Sequence, residues 1–521
     1  MDRRTLLTSA AAGVGGLVIA GCVPSPAPDY PPQSGEPFEG IGLFPSGLGS
    51  ADPTPTSALL WTRVSPRLDE GSGVEIDVEV ASTPNFGGSV VWRTTSVATA
   101  ATDHCVTVDA TGLRPGTTYY YRFILPALDA ASAAGRTRTA PSGGVERMRV
   151  AAFSCQRLTH GYFTAHADLA ALAQRPETDV DLVLCLGDYI YDTGYADGVY
   201  VPGRDDPVQD ARTLADFRSK YRLYRADPNL QAMHALYPVV HVFDNHDGLD
   251  APGDPQAAAA LQAFSEHVPV RRSLPGRIDR SLQWGDLVQV FMTDQRSFRD
   301  ATLPEGGILG TSTAAEPAIL DPSRTMLGAA QRDWLIDGLV TSPAQWKLIG
   351  SQLMFWPWRT VPRLPGQPRG AGTYLNLTQW DGYVAERFAI LDALEAGDVR
   401  DTLIVSGDSH VFSAAQVSPD VDDPRATPRV VEFGTGSITS NNADENRYPT
   451  DDVTGPFLRS VNPHLRWFES ERHGYVVLDI TPAETVGEFR SPRTIRQPQS
   501  SVDVLRRMRV RSGVQRLERL S

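Results

Sequence analysis

Cysteine is scarce in this chain: 521 residues carry four, Cys22, Cys105, Cys155 and Cys185. So few in so long a chain cannot build a disulfide framework, and the fold must rest on a hydrophobic core. A positive charge balance is missing too. The Lys and Arg residues number 48 against 62 Asp and Glu, and 48 − 62 = −14 with ten His counted neutral. That argues against a general nucleic-acid binder. Anionic substrates remain open, because a bound metal ion reverses charge locally. Past the N-terminus no apolar run is long enough to span a bilayer, and no internal repeat is present. What is there is an ordinary globular composition, 41% hydrophobic and 21% charged. The length suggests two to four domains, or one large and one small.

Targeting precedes fold. Arg3-Arg4-x-Leu6-Leu7 opens a small, apolar stretch from Thr8 to Ala20. The order resembles a twin-arginine (Tat) export signal, read by the Tat machinery. The run ends Ile19-Ala20-Gly21-Cys22, which resembles a lipobox, so residues 1–22 are expected to be a lipoprotein signal with Cys22 acylated. The other reading is a transmembrane anchor, but the run is shorter than the ~20 residues that span a bilayer. Residues 23–39 hold Pro24, Pro26, Pro28, Pro31, Pro32 and Pro37, a tether stiffened by proline. The expected location is outside the cytoplasm, membrane-anchored or at the periplasm or cell surface.

From residue 40 to 143 short runs alternate apolar and polar residues, as in Val74-Glu75-Ile76-Asp77-Val78-Glu79-Val80. Turns of Pro, Gly and Asn separate them. This predicts a small all-β domain, an antiparallel sandwich with the look of an immunoglobulin or fibronectin module. Pro141-Ser142-Gly143-Gly144 reads as a linker. From residue 144 to 489 the runs are apolar throughout, as in Val180–Leu186, Pro238–Phe243, Leu287–Met292, Trp346–Gly350 and Thr402–Ser406. Strands apolar on both faces suit burial within an α/β layered domain. Helices are predicted at Tyr162–Ala173, Gln331–Val340 and Tyr383–Glu395. Residues 490–521 carry nine Arg and read as a basic tail: a helix over the acidic body, a contact for anionic lipid, or a solvated segment.

Strand ends are where α/β enzymes place ligands. Cys155 follows the first apolar run of the large domain, Gly187-Asp188-Tyr189-Ile190-Tyr191 the second and Asp244-Asn245-His246-Asp247 the third. Ser351-Gln352 and Gly407-Asp408-Ser409-His410 follow later runs. Two cations ~3.5–4 Å apart need one carboxylate to bridge them, and Asp188 is the natural bridge. Thiolate, phenolate and imidazole suit a transition metal; carboxylate and amide oxygens suit a harder ion. Tyr189 and Tyr191 share a face if the stretch is extended, so spacing does not separate them. Cys185 and Cys105 read as core residues, as do His104, His160, His166, His234, His241, His267 and His464. His473 stays open.

These blocks resemble the metallophosphoesterases, and with the upstream Cys they resemble the alkaline phosphatases of PhoD type. Pro45–Thr54, Leu60-Trp61-Thr62-Arg63, Thr325-Met326-Leu327-Gly328, Trp380-Asp381-Gly382-Tyr383-x-Ala385-Glu386-Arg387 and His473-Gly474-Tyr475 extend the likeness from about Pro37 to Arg490. The resemblance implies a layered, metallophosphoesterase-like β-sandwich core flanked by helices. It implies one Fe³⁺ held by Cys155, Asp188, Tyr191 and His410, and one or two Ca²⁺ held by Asp188, Asn245 and Asp408, with Gln352 as a further donor. His246 would protonate the leaving oxygen or stabilise the transition state, and Arg157 and Arg296 are candidate phosphate contacts. One departure stands out: the family's Asp-Asp-His-Glu block is here Asp244-Asn245-His246-Asp247, which leaves the second metal's identity open.

The expected reaction is hydrolysis of phosphate mono- or diesters by a metal-bound hydroxide, without a phosphoenzyme. Two alternatives accompany it. One is a phospholipase D-like diesterase acting on phospholipid headgroups. The other is a non-catalytic surface lipoprotein.

Overall fold

Alternation in the N-terminal part becomes sheet. Along Val74–Ala81, Ile76, Val78 and Val80 are fully buried, while the acidic residues between them are not. Thr118–Leu125 pairs with it antiparallel and buries Tyr119, Tyr121, Phe123 and Leu125 at the same period. Val90–Ala98 flanks the other side. Leu48, Leu60, Val106 and Ala110 complete this core from a second set of strands. The structure, a computed structural model, describes residues 40–194, 200–272, 276–303, 316–446 and 451–520. The signal and tether expected in residues 1–39, with Cys22, lie outside them.

The expected self-contained sandwich is corrected in one respect. Its second set of strands belongs to a larger sheet. Leu48–Ala51 pairs in parallel with Pro238–His241 and antiparallel with Ser57–Arg63, which in turn pairs with Cys105–Thr111. The reason is in the burial. Every residue of Leu48–Ala51 and Ser57–Arg63 is buried, so these strands need cover on both faces and cannot form the outside of an independent module.

Among the described residues, that sheet has ten strands. Their order is Leu517–Leu520, Val502–Arg511, Glu484–Pro492, Tyr475–Ile480, Met148–Phe153, Leu182–Cys185, Pro238–His241, Leu48–Ala51, Ser57–Arg63 and Cys105–Thr111. A second sheet of seven runs Arg280–Trp284, Val288–Met292, Trp346–Ser351, Thr402–Ser406, Val430–Gly434, Phe412–Val417 and Leu465–Glu469. Each has four parallel strands at its centre and antiparallel strands outside them.

Strand periodicity sorts the second sheet's side chains into two cores. Val288, Val290, Leu348, Leu403, Val405, Val431 and Phe433 join a core shared with the ten-stranded sheet. Phe291, Ile349, Ile404 and Val430 face the other way. They pack with Leu335 and Leu339 of the helix Ala329–Thr341 and with Ile390, Leu391 and Leu394 of the helix Val384–Ala396. Those helices and Thr164–Leu172 stand within two residues of the predicted bounds.

The basic segment read as a tail is also corrected. Val502–Arg511 and Leu517–Leu520 are strands of the ten-stranded sheet. Met508 and Val510 are buried, while Arg507 pairs with Glu488 at 2.8 Å and Arg511 with Glu518 at 3.3 Å. The run of charge hid a strand period, and cross-strand carboxylates absorb the charge. No helix among the described residues is long and apolar enough to cross a membrane.

Candidate active site

Seven of the eight parallel strands lead into loops that meet at one place. Three donors lie closest. The Cys155 sulfur, an Asp188 carboxylate oxygen and a His410 ring nitrogen all lie within 4.8 Å of one another. Cys155 and Asp188 are buried and His410 is half-buried. The backbone is bent to bring them together. Cys155, Asp188, Asp408 and His410 sit in the left-handed region, with φ of 58°, 52°, 59° and 55°. Such conformations cost on the order of 1 kcal/mol or more each and persist where surrounding structure enforces them. Gly187 (φ 108°) is required for a second reason: a Cβ there would run into Asp244.

The sharp bend at Asp188 separates the two tyrosines. Tyr189 turns away and its hydroxyl meets His234 Nε2 at 2.9 Å. The Tyr191 hydroxyl donates to Asp188 Oδ2 at 2.9 Å and accepts from Ser440 Oγ. His246 stacks on the Tyr191 ring at 4.3 Å between centroids, and the Arg157 guanidinium lies over the same ring at 5.1 Å. Arg157 Nη2 is anchored to Thr193 Oγ1 at 2.9 Å.

Hydrogen bonds fix both functional imidazoles. His410 Nδ1 lies 2.7 Å from the Asn441 carbonyl. A carbonyl can only accept, so Nδ1 carries the proton and Nε2 is free to act as a ligand. Burial holds His410 down to about 4, so its ring is neutral. His246 Nδ1 lies 2.9 Å from Asp192 Oδ1, and its backbone N–H donates to Asp188 Oδ1 at 3.0 Å. Burial lowers the His246 pKa, but the carboxylates of Asp188 and Asp192 outweigh it and the net shift is upward. The upward shift favours the imidazolium, the form in which Nε2 as well as Nδ1 carries a proton. Asp247 is a latch: its carboxylate accepts from the N–H groups of Asp244 at 2.9 Å and Ile190 at 3.1 Å, tying two loops together.

The remaining predicted residues gather around Arg296. Its guanidinium donates to Asp244, to Asp250 at 3.0 Å, to Asn245 Oδ1 at 3.2 Å and to Asp408 Oδ1 at 3.1 Å. Asp408 Oδ2 also accepts from Gln379. Gln352 is fully buried, with its Oε1 accepting from Gln295 N at 3.2 Å and its Nε2 donating to the Phe243 carbonyl at 3.0 Å.

The PhoD-like phosphatase family matches residues 150–489, and the family's N-terminal domain matches residues 34–141. The chain belongs to the PhoD-like phosphatases. It is 31% identical over 487 residues to alkaline phosphatase D of Bacillus subtilis (strain 168), covering 88% of this chain and 79% of the relative. A solved structure of PhoD superposes with a TM-score of 0.80 at 28% identity, covering 94% of each chain. The chain is therefore a phosphoric ester hydrolase, with the mixed, sheet-rich fold of PhoD and its N-terminal β domain.

The two ends of the site offer a cation different donors. At the Cys155 end a thiol, a phenol, an imidazole and a carboxylate converge, a donor set suited to a transition metal. Electrostatics point the same way. Burial, then the carboxylates of Asp188 and Asp408, push the Cys155 thiol well up. Burial, then Asp188 and Cys155, do the same to the Tyr191 phenol. Burial also raises Asp188, Asp244 and Asp408. So many acids crowded together call for a cation. At the Arg296 end, Asn245 Oδ1 and Asp408 Oδ1 accept from the guanidinium and Asp244 Oδ2 is buried without a hydrogen-bond partner among the described residues, oxygen donors of the kind a harder cation takes.

Sequence reasoning missed four residues: Asp192, which holds His246; Ser440 and Asn441, which hold Tyr191 and His410; and Gln379, which holds Asp408. Asp192 adjoins Tyr191. Ser440 and Asn441 lie in a small, polar run after the strand Val430–Gly434, the same strand-end signal that marked the other loops. Nothing local marks Gln379.

Proposed function

We propose that the chain is a metal-dependent phosphatase that hydrolyses phosphate mono- or diesters by direct attack of water at phosphorus. The convergence of Cys155, Asp188 and His410 carries this reading, with Tyr191 as the fourth donor. Iron is the ion that the family resemblance implies for this set, and its thiol, phenol and imidazole suit a transition metal. When bound, the cation neutralises charge on the phosphoryl group and acidifies water. The protein's own groups do the rest. Arg157, fixed by Thr193, faces the site as a phosphate contact. His246 Nε2 gives its proton to the leaving oxygen as the ester P–O bond breaks and the new P–O bond to water forms, the proton lost by that water passing to solvent, from which His246 is reprotonated; Asp192 steadies the imidazole through Nδ1. Asp188 joins the metal end to the His246 loop by accepting from both Tyr191 and the His246 backbone.

The layered metallophosphoesterase architecture, and export through a Tat-like signal with a lipid on Cys22, belong to the same proposal and rest on the sequence. Side-by-side assay of an aryl phosphate monoester, the matching diester and phosphatidylcholine tests the activity. Turnover of the first two supports the reading, headgroup release alone favours the phospholipase D-like alternative, and a fully metallated protein inert on all three is a binding protein. An iron-loaded protein without a visible phenolate-to-iron band would contradict the role of Tyr191.

A further inference from the structure

We propose that His473 is a positioning residue of the metal end: it holds the loop 437–442 so that the Ser440 hydroxyl is aimed at Tyr191 and the Asn441 carbonyl at His410. The inference rests on the metal centre proposed above and adds to it a residue that acts through others.

The loop backs the whole centre. The Cys155 carbonyl accepts from the N–H groups of Thr439 at 3.3 Å and Ser440 at 3.2 Å. Ser440 Oγ donates to the Tyr191 hydroxyl, and the Asn441 carbonyl accepts from His410 Nδ1. Thr439 Oγ1 donates to the Arg157 carbonyl at 2.7 Å. Three metal donors and a phosphate contact thus lean on three consecutive residues. The Ser440 bond bears on chemistry as well as placement, because a hydrogen bond donated to a phenol oxygen favours its charged form, the form that binds a cation.

Hydrogen accounting shows how His473 sets this loop. Ser437 Oγ donates its one hydrogen to the Ser440 carbonyl. His473 Nδ1 lies 3.0 Å from the same Ser437 oxygen, which can only accept there, so Nδ1 carries a proton. His473 Nε2 lies 3.0 Å from Glu445 Oε2. Burial raises Glu445, but the bond to His473 and its charge outweigh burial and the net shift is downward. An ionised carboxylate only accepts, so Nε2 carries a proton as well. Asn442 Nδ2, 3.3 Å from that nitrogen, has a closer partner in the Glu471 carbonyl at 2.7 Å. His473 is therefore an imidazolium, 7% exposed, gripping Ser437 at one end of the loop and Glu445 just past the other. Glu445 closes the frame: it accepts from Asn442 N at 3.3 Å and its own N–H donates to Asn442 Oδ1 at 3.0 Å. The backbone beside the ring is fixed too. Gly474 N–H donates to the Ser437 carbonyl at 2.8 Å, and at its φ of 141° a Cβ would strike the Arg490 carbonyl. The block His473-Gly474-Tyr475 thereby acquires a role at the site.

The test compares iron-loaded full-length wild type with His473→Gln, Ser440→Ala and the double variant. A Gln amide can reach Glu445 but leaves Ser437 without its donor. In His473→Gln the phenolate-to-iron band should move to longer wavelength, as in Ser440→Ala, because a phenolate without its hydrogen bond gives up an electron more easily. The double variant should shift no further than Ser440→Ala, and kcat of His473→Gln should fall ~10-fold with KM within about twofold. A wild-type band and kcat in His473→Gln, or shifts that add in the double variant, overturns the proposal. His473→Asn keeps an N–H where Nδ1 stands and should show the wild-type band; a band shifted equally in the Asn and Gln variants marks a purely structural histidine and also overturns it. If His473→Gln does not fold, the Asn variant decides by the same band. An iron-loaded wild type that lacks the band removes the Tyr191 ligand itself, and the proposal with it.

Discussion

Asp188 links the two halves of the site: one oxygen accepts from the Tyr191 hydroxyl and the other from the His246 backbone. The neighbouring carboxylate Asp192 does a different job. Its carboxylate oxygen meets His246 Nδ1 at 2.9 Å and accepts from the Thr193 N–H at 2.9 Å. Asp192→Asn should therefore lower kcat by ~10–100-fold while leaving metal content unchanged, since partners of this kind are worth about that much. Loss of metal in the purified variant would show that Asp192 supports the donors instead of His246. At this scale, the sequence disclosed residue types better than orientation. Cys155, Asp188, Tyr191 and His410 were legible as strand-end residues matching a family pattern. The choice of Tyr191 over Tyr189 was not legible from spacing, because the left-handed turn at Asp188 breaks the extended geometry on which spacing depends.

Elements are fastened by buried polar clusters far from the chemistry. Asp103 accepts from Arg63 Nε at 3.1 Å, lies 3.1 Å from His267 Nε2 and 3.6 Å from Arg222. Cys105 Sγ lies 3.7 Å from His267 Nδ1. This joins the N-terminal strands Ser57–Arg63 and Cys105–Thr111 to the helix Ala257–His267. The trio of Asp103, Cys105 and His267 has metal-like spacing, but two guanidiniums already serve its carboxylate. Removing that carboxylate takes the ion pair from a fully buried Arg63, while the Asp103 backbone carbonyl still accepts from it at 2.9 Å. Asp103→Ala should destabilise the protein by ~3–5 kcal/mol, the cost of removing one partner of a buried ion pair. Urea denaturation checks this, with kcat expected to hold; a change under 1 kcal/mol, within the range of exposed pairs, would contradict it. Strand positions were read closely because their apolar runs are long and unbroken. Sheet membership was not, because pairing is set by partners distant in sequence. Leu48–Ala51 finds Pro238–His241, and the arginine-rich Val502–Arg511 finds Glu484–Pro492. The later family-like blocks are latches of the same kind: Glu386 accepts from Thr325 Oγ1 at 2.8 Å and Leu327 N at 3.3 Å.

Over the whole molecule, histidines make stability depend on pH. Burial holds His160 at about 2, His166 and His464 at about 3 and His267 at about 4; it places His234 and His241 well below the usual value. These rings are neutral in the fold and free to charge when unfolded. Their stabilising contribution is complete above the unfolded value of ~6.5 and is lost as pH falls through it toward the folded values. His246 runs the other way. Each buried ring adds up to about 1.4 kcal/mol per pH unit in that window. The urea midpoint should fall steadily from pH 7 to pH 5; a flat profile would contradict the burial of these rings.

The account as a whole rests on scattered loops holding a metal through Asp188. The most direct measurement is the metal-to-chain ratio of purified wild type and Asp188→Asn, taken with turnover on the same samples. The account predicts a transition metal at about one per chain in the wild type, and in the variant a joint loss of metal and activity, the latter beyond ~100-fold. A variant that turns over normally, or a fully active wild type without metal, would contradict it.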